Sequence, residues 1–435
     1  MPYRFAVFLC LWGFVALINL TLNRLSDLFV LLTSSVIAVT VPPPSETASP
    51  THSTLLSDAS NSISYPSPYD VYSDNMTDYE RILYVQRNYH RFDTEERRRR
   101  LSLIVDGLNR NGNHQPREVV FQEMMETGLG NSLLALASSF MVSQLLNASF
   151  HVNWRMYHSA FDSPLTNLSS TVGYKTTLPS YSRWKIRWSG CSPKLSALES
   201  EPLPALAPEP NLVITAYFDY TKHLFLTPRY DAQLQSLGLA PFFSSPHARL
   251  QRTFFAEFPL MTAVRLFFVP KLPLQALIDQ TLRQAQSFHL IGLQVRMGSG
   301  GADFRDSHRF LRMAALRSFV QLAENYRVAR GIPEDGVKWF LSTDSSEVER
   351  NLTATYPGRV VVASGFGRGH SSSEFANRNA FYRAVIDVGV LSRCEYMVLT
   401  NHSSFGMIAR MLAPAPLFSI VPAMGYYTCL LQARE

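Results

Sequence analysis

Cysteine is scarce in this chain. Its 435 residues hold four, Cys10, Cys191, Cys394 and Cys429, and no spacing among them suits a zinc site or a disulfide framework. Cys394 and Cys429 could pair, leaving Cys191 odd; alternatively, Cys394 is simply buried on its helix. Acidic pairs of the Asp-x-Asp kind are also missing, so the sequence predicts no metal site. Neither a Gly-x-Ser-x-Gly turn nor a Ser-His-Asp arrangement points to a hydrolase, and no internal repeat is visible. Concentrated charge is absent too. The formal net charge of +6 suits a protein that meets anionic ligands, but the one basic run, Arg97–Arg100, follows Glu95 and Glu96 in what reads as an exposed, solvated helix. No nucleic-acid partner is expected. What remains is a chain 46% hydrophobic and 17% charged, globular in composition and long enough for two core-bearing domains.

The N-terminus carries the longest apolar stretches. Phe5–Leu20, preceded by Arg4, extends with Thr21 and Leu22 to about eighteen residues, the low end for a membrane-spanning helix. A cleaved signal peptide is the competing reading. No small-x-small cleavage site follows the run, which favours an uncleaved anchor with the bulk of the chain on the lumenal side. Leu28–Val41 is a second apolar run. Val41–Tyr69 is rich in Pro, Ser and Thr and reads as a flexible stem. Sequons at Asn75, Asn147, Asn167, Asn351 and Asn401 fit lumenal exposure. These features set an anchor (1–41) and a stem (42–77) apart from two globular domains, an N-terminal one (78–285) and a C-terminal one (286–435).

Periodicity then predicts alternating strands and helices. Asp78–Asp106 reads as a charged helix. Arg117–Phe121 reads as a strand, followed by a Gly-rich turn at Gly128, a helix to about Leu146 and a strand at Phe150–Trp154. Asn211–Phe218 and Thr221–Phe225 read as strands, and Phe254–Phe268 and Pro273–Gln286 as helices. The second half runs through strands at Leu290–Arg296, Lys338–Ser342, Arg359–Ala363 and Tyr396–Thr400. Helices are expected at Asp306–Arg327, Ser346–Tyr356 and Asn377–Leu391. Strands separated by helices argue for parallel sheets and an α/β fold.

Three junctions have the chemistry of a ligand site. Asn401-His402-Ser403-Ser404 joins a buried strand to a helix that opens at Phe405-Gly406, placing hydroxyls and helix N-terminal amides where a phosphate can bind. The plainer reading is an N-cap. Arg296 leaves the end of the apolar strand Leu290–Val295. Its planar fork suits a diphosphate, and its partner is expected to be ligand rather than a buried protein group. Gly128, Gly130 and Asn131 form a turn that allows close backbone approach before the helix Leu133–Phe140. Asp344 follows a strand end and could accept from ribose or base donors, or cap the helix Ser346–Tyr356. Asp303 and Asp306 follow the arginine loop. Either could act as general base, although Asp306 could equally cap a helix. His370 reads as a solvated loop histidine and Asp387 as a structural mid-helix residue.

In their order, the blocks GLGNSLLALASSF (Gly128–Phe140), FLTPRYDAQLQSLG (Phe225–Gly238), IGLQVRMG (Ile291–Gly298) and AVIDVGVLSRCEYMVLTNHSSFGMIA (Ala384–Ala409) resemble the plant-type xyloglucan fucosyltransferases. The resemblance implies a GT-B-like fold of two Rossmann-like domains facing a cleft. It implies a GDP-fucose donor substrate, transfer with inversion to a glycan acceptor, no cofactor, and a single-pass type II Golgi membrane protein. It casts Arg296 as the diphosphate arginine and sets Ser403 and Ser404, with the adjoining Phe405, against the nucleotide. Gly128, Gly130 and Asn131 then face the donor from the other domain. One departure is Ser132, where the family usually carries arginine. Two rivals stand beside this reading: a glycan- or nucleotide-binding pseudoenzyme without turnover, and a membrane-tethered structural protein.

Overall fold

The computed structural model describes residues 117–162, 182–186, 193–225, 228–236, 257–299, 309–371, 377–414 and 417–423. The expected anchor, stem and basic run, three of the cysteines, and Asp303 and Asp306 lie outside them. Among the described residues no helix is long and apolar enough to cross a membrane.

Two parallel sheets organise this part of the chain. The first holds β1 (Glu118–Gln122), β2 (Ser149–Asn153), β3 (Ser182–Ile186) and β4 (Asn211–Ala216) in the order β2-β1-β4-β3. The second holds β5 (His289–Val295), β6 (Val337–Thr343), β7 (Val360–Val361), β8 (Tyr396–Thr400) and β9 (Phe418–Val421) in the order β7-β6-β5-β8-β9. Every pairing is parallel. Parallel strands need crossovers, and the longer helices supply them. These are α1 (Leu129–Leu145), α2 (Glu257–Phe267), α3 (Leu272–Arg283), α4 (Leu316–Ala329), α5 (Ser346–Thr355), α6 (Arg378–Leu391) and α7 (Ser404–Leu412). In the second sheet the chain steps outward from β5 through β6 to β7, then resumes at β8 on the other side of β5. That reversal opens a crevice beyond the C-terminal ends of β5 and β8, where ligands bind in open α/β sheets.

The core explains why the halves stay together. Helix α1 is apolar on nearly every face and buried along almost its whole length, as expected of a helix enclosed on all sides. Its internal hydroxyls are satisfied locally. Ser138 Oγ donates to Leu134 O (2.9 Å) and Ser139 Oγ to Ala135 O (2.8 Å), while Ser139 also shares a hydrogen bond with Tyr220. One apolar cluster runs from one face of the first sheet through α1, α2 and α3 to α6 and α7. Within it Trp154 meets Phe381 of α6 edge to face, 5.8 Å between centroids. A second cluster covers the other face of the second sheet, under α4 and α5.

Several expectations need correction. Thr221–Phe225 is a helix, not a strand. The Asp219 carboxylate accepts the Thr221 N–H (2.7 Å) and starts a helical turn there, and this local bond outweighs the β-branched and aromatic residues that suggested a strand. Among the described residues, the helix expected over Asp306–Arg327 begins at Leu316, after a 3-10 turn at Met313–Ala315. The strand expected over Arg359–Ala363 shrinks to Val360–Val361. Two strands went unexpected, β3 and β9. β3, with sequence SRWKI, is an edge strand that turns Arg183 and Lys185 outward and buries Trp184. The Trp184 indole N–H donates to Leu206 O (3.1 Å).

Candidate functional site

The ends of β5, β6 and β8 and the N-termini of α1 and α7 enclose a cavity of about 650 Å³. Its wall includes Gly128, Gly130 and Asn131 from the first half, and Arg296, Asp344, Ser403, Ser404 and Phe405 from the second. All the described residues singled out for ligand binding in the sequence therefore line one cavity. Asp303 and Asp306 are outside the described residues.

A web of hydrogen bonds fixes the frame. Gln294, buried on β5, accepts the Thr400 N–H at Oε1 (3.1 Å) and donates from Nε2 to Ser403 Oγ (3.2 Å). Thr400 Oγ1 donates to Gln294 O (2.8 Å) and accepts the Arg296 N–H (2.9 Å). The end of β5 and the loop after β8 are thus one rigid unit. The loop turns through His402, whose φ of +58° is left-handed, an uncommon conformation for a residue other than glycine. A Cβ on Gly406 would lie 2.9 Å from Gln294 Oε1, so α7 packs on this frame at glycine distance.

Two helix N-termini meet here. Ser403 caps α7 and Gly128 caps α1, neither cap carries a side-chain hydrogen bond, and neither first turn has an acidic residue. Ser403 Oγ is instead held by Gln294. Leu129 N–H donates to Ser371 Oγ (3.0 Å), reaching across from the second half. A Cβ on Gly130 would stand 2.6 Å from Ser404 Oγ and 2.9 Å from Phe405 N. Only glycine lets α1 come this close. The partial positive ends of both helices are therefore brought together at the cavity wall, an arrangement that an anion stabilises.

Arg296 stands beside them, but not as expected. Its Nη1 lies 3.2 Å from Asp344 Oδ2, and Asp344 is buried. The guanidinium also sits 5.7 Å from the centroid of Phe310. It has a buried protein partner, and the expectation that only ligand would pair with it is overturned. Nor does Asp344 cap α5; Ser345 does, accepting the Val348 N–H (3.4 Å). The two Asp344 oxygens accept the N–H groups of Met297 (2.8 Å) and Gly298 (2.9 Å), so this carboxylate ties down the loop that carries Arg296. Burial pushes its pKa up, against the opposing pull of Arg296 and those two N–H donors.

The sequence reading missed part of the cavity. Arg383 and Asp387 of α6 line it, joined by an Nε–Oδ1 bond of 2.8 Å, and Ser342 Oγ donates to Asp387 Oδ2 (3.0 Å). Asp387, read from the sequence as a mid-helix structural residue, thus also lines the cavity, and burial raises its pKa despite Arg383 beside it. Arg368 lines the cavity too, and both its terminal nitrogens lie within 2.8 Å of Glu349 Oε2. His370, expected in solvent, is half-buried in the cavity wall. Their i, i+4 spacing on α6 was the one available signal for Arg383 and Asp387. Ser132, at the family's arginine position, is buried and does not line the cavity, although it shares a hydrogen bond with Thr127 (2.7 Å), which does. Cys394 is buried at the end of α6 with its thiol on Val390 O (3.5 Å). Among the described residues, no three His, Cys, Asp or Glu side chains are grouped to hold a metal.

No protein-family model and no curated protein matches the chain. Solved structures similar to it include the α-1,6-fucosyltransferase NodZ from Bradyrhizobium, soaked with GDP-fucose. It is 17% identical, over 68% of this chain and 92% of that one, at a TM-score of 0.40. A point mutant of Arabidopsis thaliana FUT1 in complex with GDP is 17% identical over 78% of each chain, at 0.47. POFUT1 in complex with GDP is 8% identical over 70% of this chain and 98% of that one, at 0.36. At these identities, and with TM-scores below 0.5, none of the likenesses carries an activity or a ligand over to this chain.

Proposed function

We propose that the chain is a metal-independent glycosyltransferase that takes GDP-fucose and transfers fucose, with inversion, to a glycan hydroxyl. The observation that carries this reading is the meeting of two helix N-termini at Gly130 and Ser404 in the same cavity wall as Arg296. Fixed N–H donors and a guanidinium aimed into one cavity suit a diphosphate, and above all a diphosphate gaining charge as it leaves. The guanosine and the fucose rest on the resemblance of the Gly128, Ile291 and Ala384 blocks to xyloglucan fucosyltransferases.

In this reading Gly128, Gly130 and Asn131 approach the donor from the acceptor side, and Ser403, Ser404 and Phe405 lie against the nucleotide. Asp344 holds Arg296 at the diphosphate. Asp303 or Asp306 serves as general base. The acceptor hydroxyl gives its proton to that carboxylate while its oxygen bonds to the anomeric carbon. The bond from that carbon to the diphosphate breaks, and Arg296 and the helix amides meet the charge on GDP. Residues 78–285 form the acceptor side and 286–435 the donor side. Residues 1–41 anchor the chain as a type II Golgi membrane protein, with 42–77 as stem.

The test is thermal unfolding of the full chain in detergent with GDP, paired with GDP release from GDP-fucose in the presence of a panel of glycans. A ligand that binds only the native state raises the unfolding temperature. The expected result is a GDP-dependent rise together with GDP release that depends on one class of glycan. No rise at about 1 mM GDP, a concentration that detects even weak binding, overturns the reading. A rise without release from any glycan supports the pseudoenzyme instead.

A further inference from the structure

Helix α7 has nine residues, which makes it about 13 Å long. Its N-terminus lies at the cavity. Its C-terminus is closed without a glycine: Ala413 is extended at φ −64°, ψ 137°, and a proline follows. Helix ends leave carbonyls that need donors. Here they come from the first half of the chain. Arg265 on α2 donates from Nε to Met411 O (2.7 Å) and from Nη2 to Ala413 O (2.6 Å). One planar fork thus serves two backbone carbonyls, which a lysine ammonium cannot reproduce in the same geometry. A cation at this end also favours the helix dipole whose positive end faces the cavity.

At its other end α7 meets Gly130 of α1 at glycine distance. Helices α1 and α2 share one apolar cluster, with Phe140 and Phe267 edge to face at 5.3 Å. The second half's α7 is therefore gripped at both ends by a pair of helices from the first half. We infer that Arg265 is a positioning residue for the anion site: by fixing the C-terminal end of α7, it sets where the phosphate-facing N-terminus stands. This inference rests on the proposed nucleotide diphosphate site.

The experiment compares the wild-type full chain with Arg265→Met, Arg265→Lys and a control, Phe319→Leu. Phe319 is fully buried on the opposite side of the second sheet. Two quantities are read at a temperature where every variant is folded: calorimetric GDP affinity, and amide exchange at Met407, whose N–H bonds to Ser403 O (3.0 Å). Arg265→Met should weaken GDP at least tenfold and speed Met407 exchange without GDP, and Arg265→Lys should recover only part of either loss. Phe319→Leu should lower the unfolding temperature and leave GDP affinity within twofold of wild type. If Arg265→Met lowers stability like the control but keeps wild-type GDP affinity, Arg265 is merely structural and the inference falls. If the wild type itself fails to bind GDP, the proposed function falls, and Met407 exchange then decides this inference alone. Unchanged exchange in Arg265→Met overturns it.

Discussion

The wall of the cavity supplied by the first half is made largely of backbone and small side chains. Among its described residues Gly128, Gly130 and Asn131 sit beside Tyr217 and a single carboxylate, Glu126, at the exposed turn. The wall supplied by the second half carries three arginines and two buried carboxylates. Each of those arginines is already paired: Arg296 with Asp344, Arg368 with Glu349 and Arg383 with Asp387. The first wall therefore acts by proximity and the second by charge held in place. Ion pairs of this kind cost desolvation and are weak evidence of stability. On the proposed reading their use is orientation, because a guanidinium braced from behind needs little reorganisation when an anion arrives.

The contrast is broken most sharply at Arg296. Arg296→Ala should abolish detectable transfer, a loss on the order of 3 kcal/mol of transition-state stabilisation, and Arg296→Lys should recover little. Because Asp344 would be left buried without its cation, the alanine variant should also lose about 2 kcal/mol of stability. Asp344→Asn in the same chain should return much of that stability and none of the activity. Turnover and denaturant unfolding of the three variants check this, and an alanine variant as stable as wild type would show that the pair does not brace the arginine.

A smaller effect is expected on the wall that acts by proximity. Gly130→Ala places a methyl group against Phe405 N and the Ser404 carbonyl carbon, both 2.9 Å away and both backbone. The two helix ends must separate, at a cost of about 2 kcal/mol, or roughly thirtyfold in GDP affinity. Gly128→Ala meets only side-chain atoms, the Ser371 hydroxyl at 3.0 Å and His370 Cε1 at 3.9 Å, and should cost much less. Equal effects at the two positions in a GDP titration would mean that the abutting helix ends do not shape the site.

Much of this architecture was legible in the sequence. Tyr396–Thr400 is a strand with the expected bounds, and β5 and α1 were plain, because each is an apolar run closed by a polar or glycine-rich junction. β3 was not, since its alternation of Arg183 and Lys185 with Trp184 and Ile186 spans only five residues and offers just two apolar positions, too short a pattern to stand out as a strand. The junctions that line the cavity could be found because strand ends and helix starts have local signatures. Asp344 bracing Arg296 could not be foreseen, and neither could Arg265 reaching the end of α7. Each depends on which elements become neighbours after folding, and nothing in the local pattern encodes that.

The pH dependence of stability should be gentler still. The native state holds the Asp344 proton more tightly than the unfolded chain does, because burial raises its pKa above the ordinary 3.8. That contribution is fully present below the unfolded value and is lost as pH rises through the native one. Asp344→Asn does not titrate, so the variant should gain on the wild type as pH rises from the ordinary value toward neutrality. Urea unfolding at several pH values measures the difference, and a pH-independent gap contradicts it. The smallest expected effect is that of a chelator. Transfer should be unchanged by EDTA, and a loss restored by manganese would show that charge on the diphosphate is met by a metal rather than by Arg296.

The most direct measurement is a calorimetric titration of GDP into the full chain, wild type and Arg296→Ala side by side, at low ionic strength. The account predicts one site on the wild type and affinity at least a hundredfold weaker, about 2.7 kcal/mol, in the variant. Equal affinity in the two proteins would contradict it, because the braced arginine beside the two helix N-termini would then not be where the diphosphate binds.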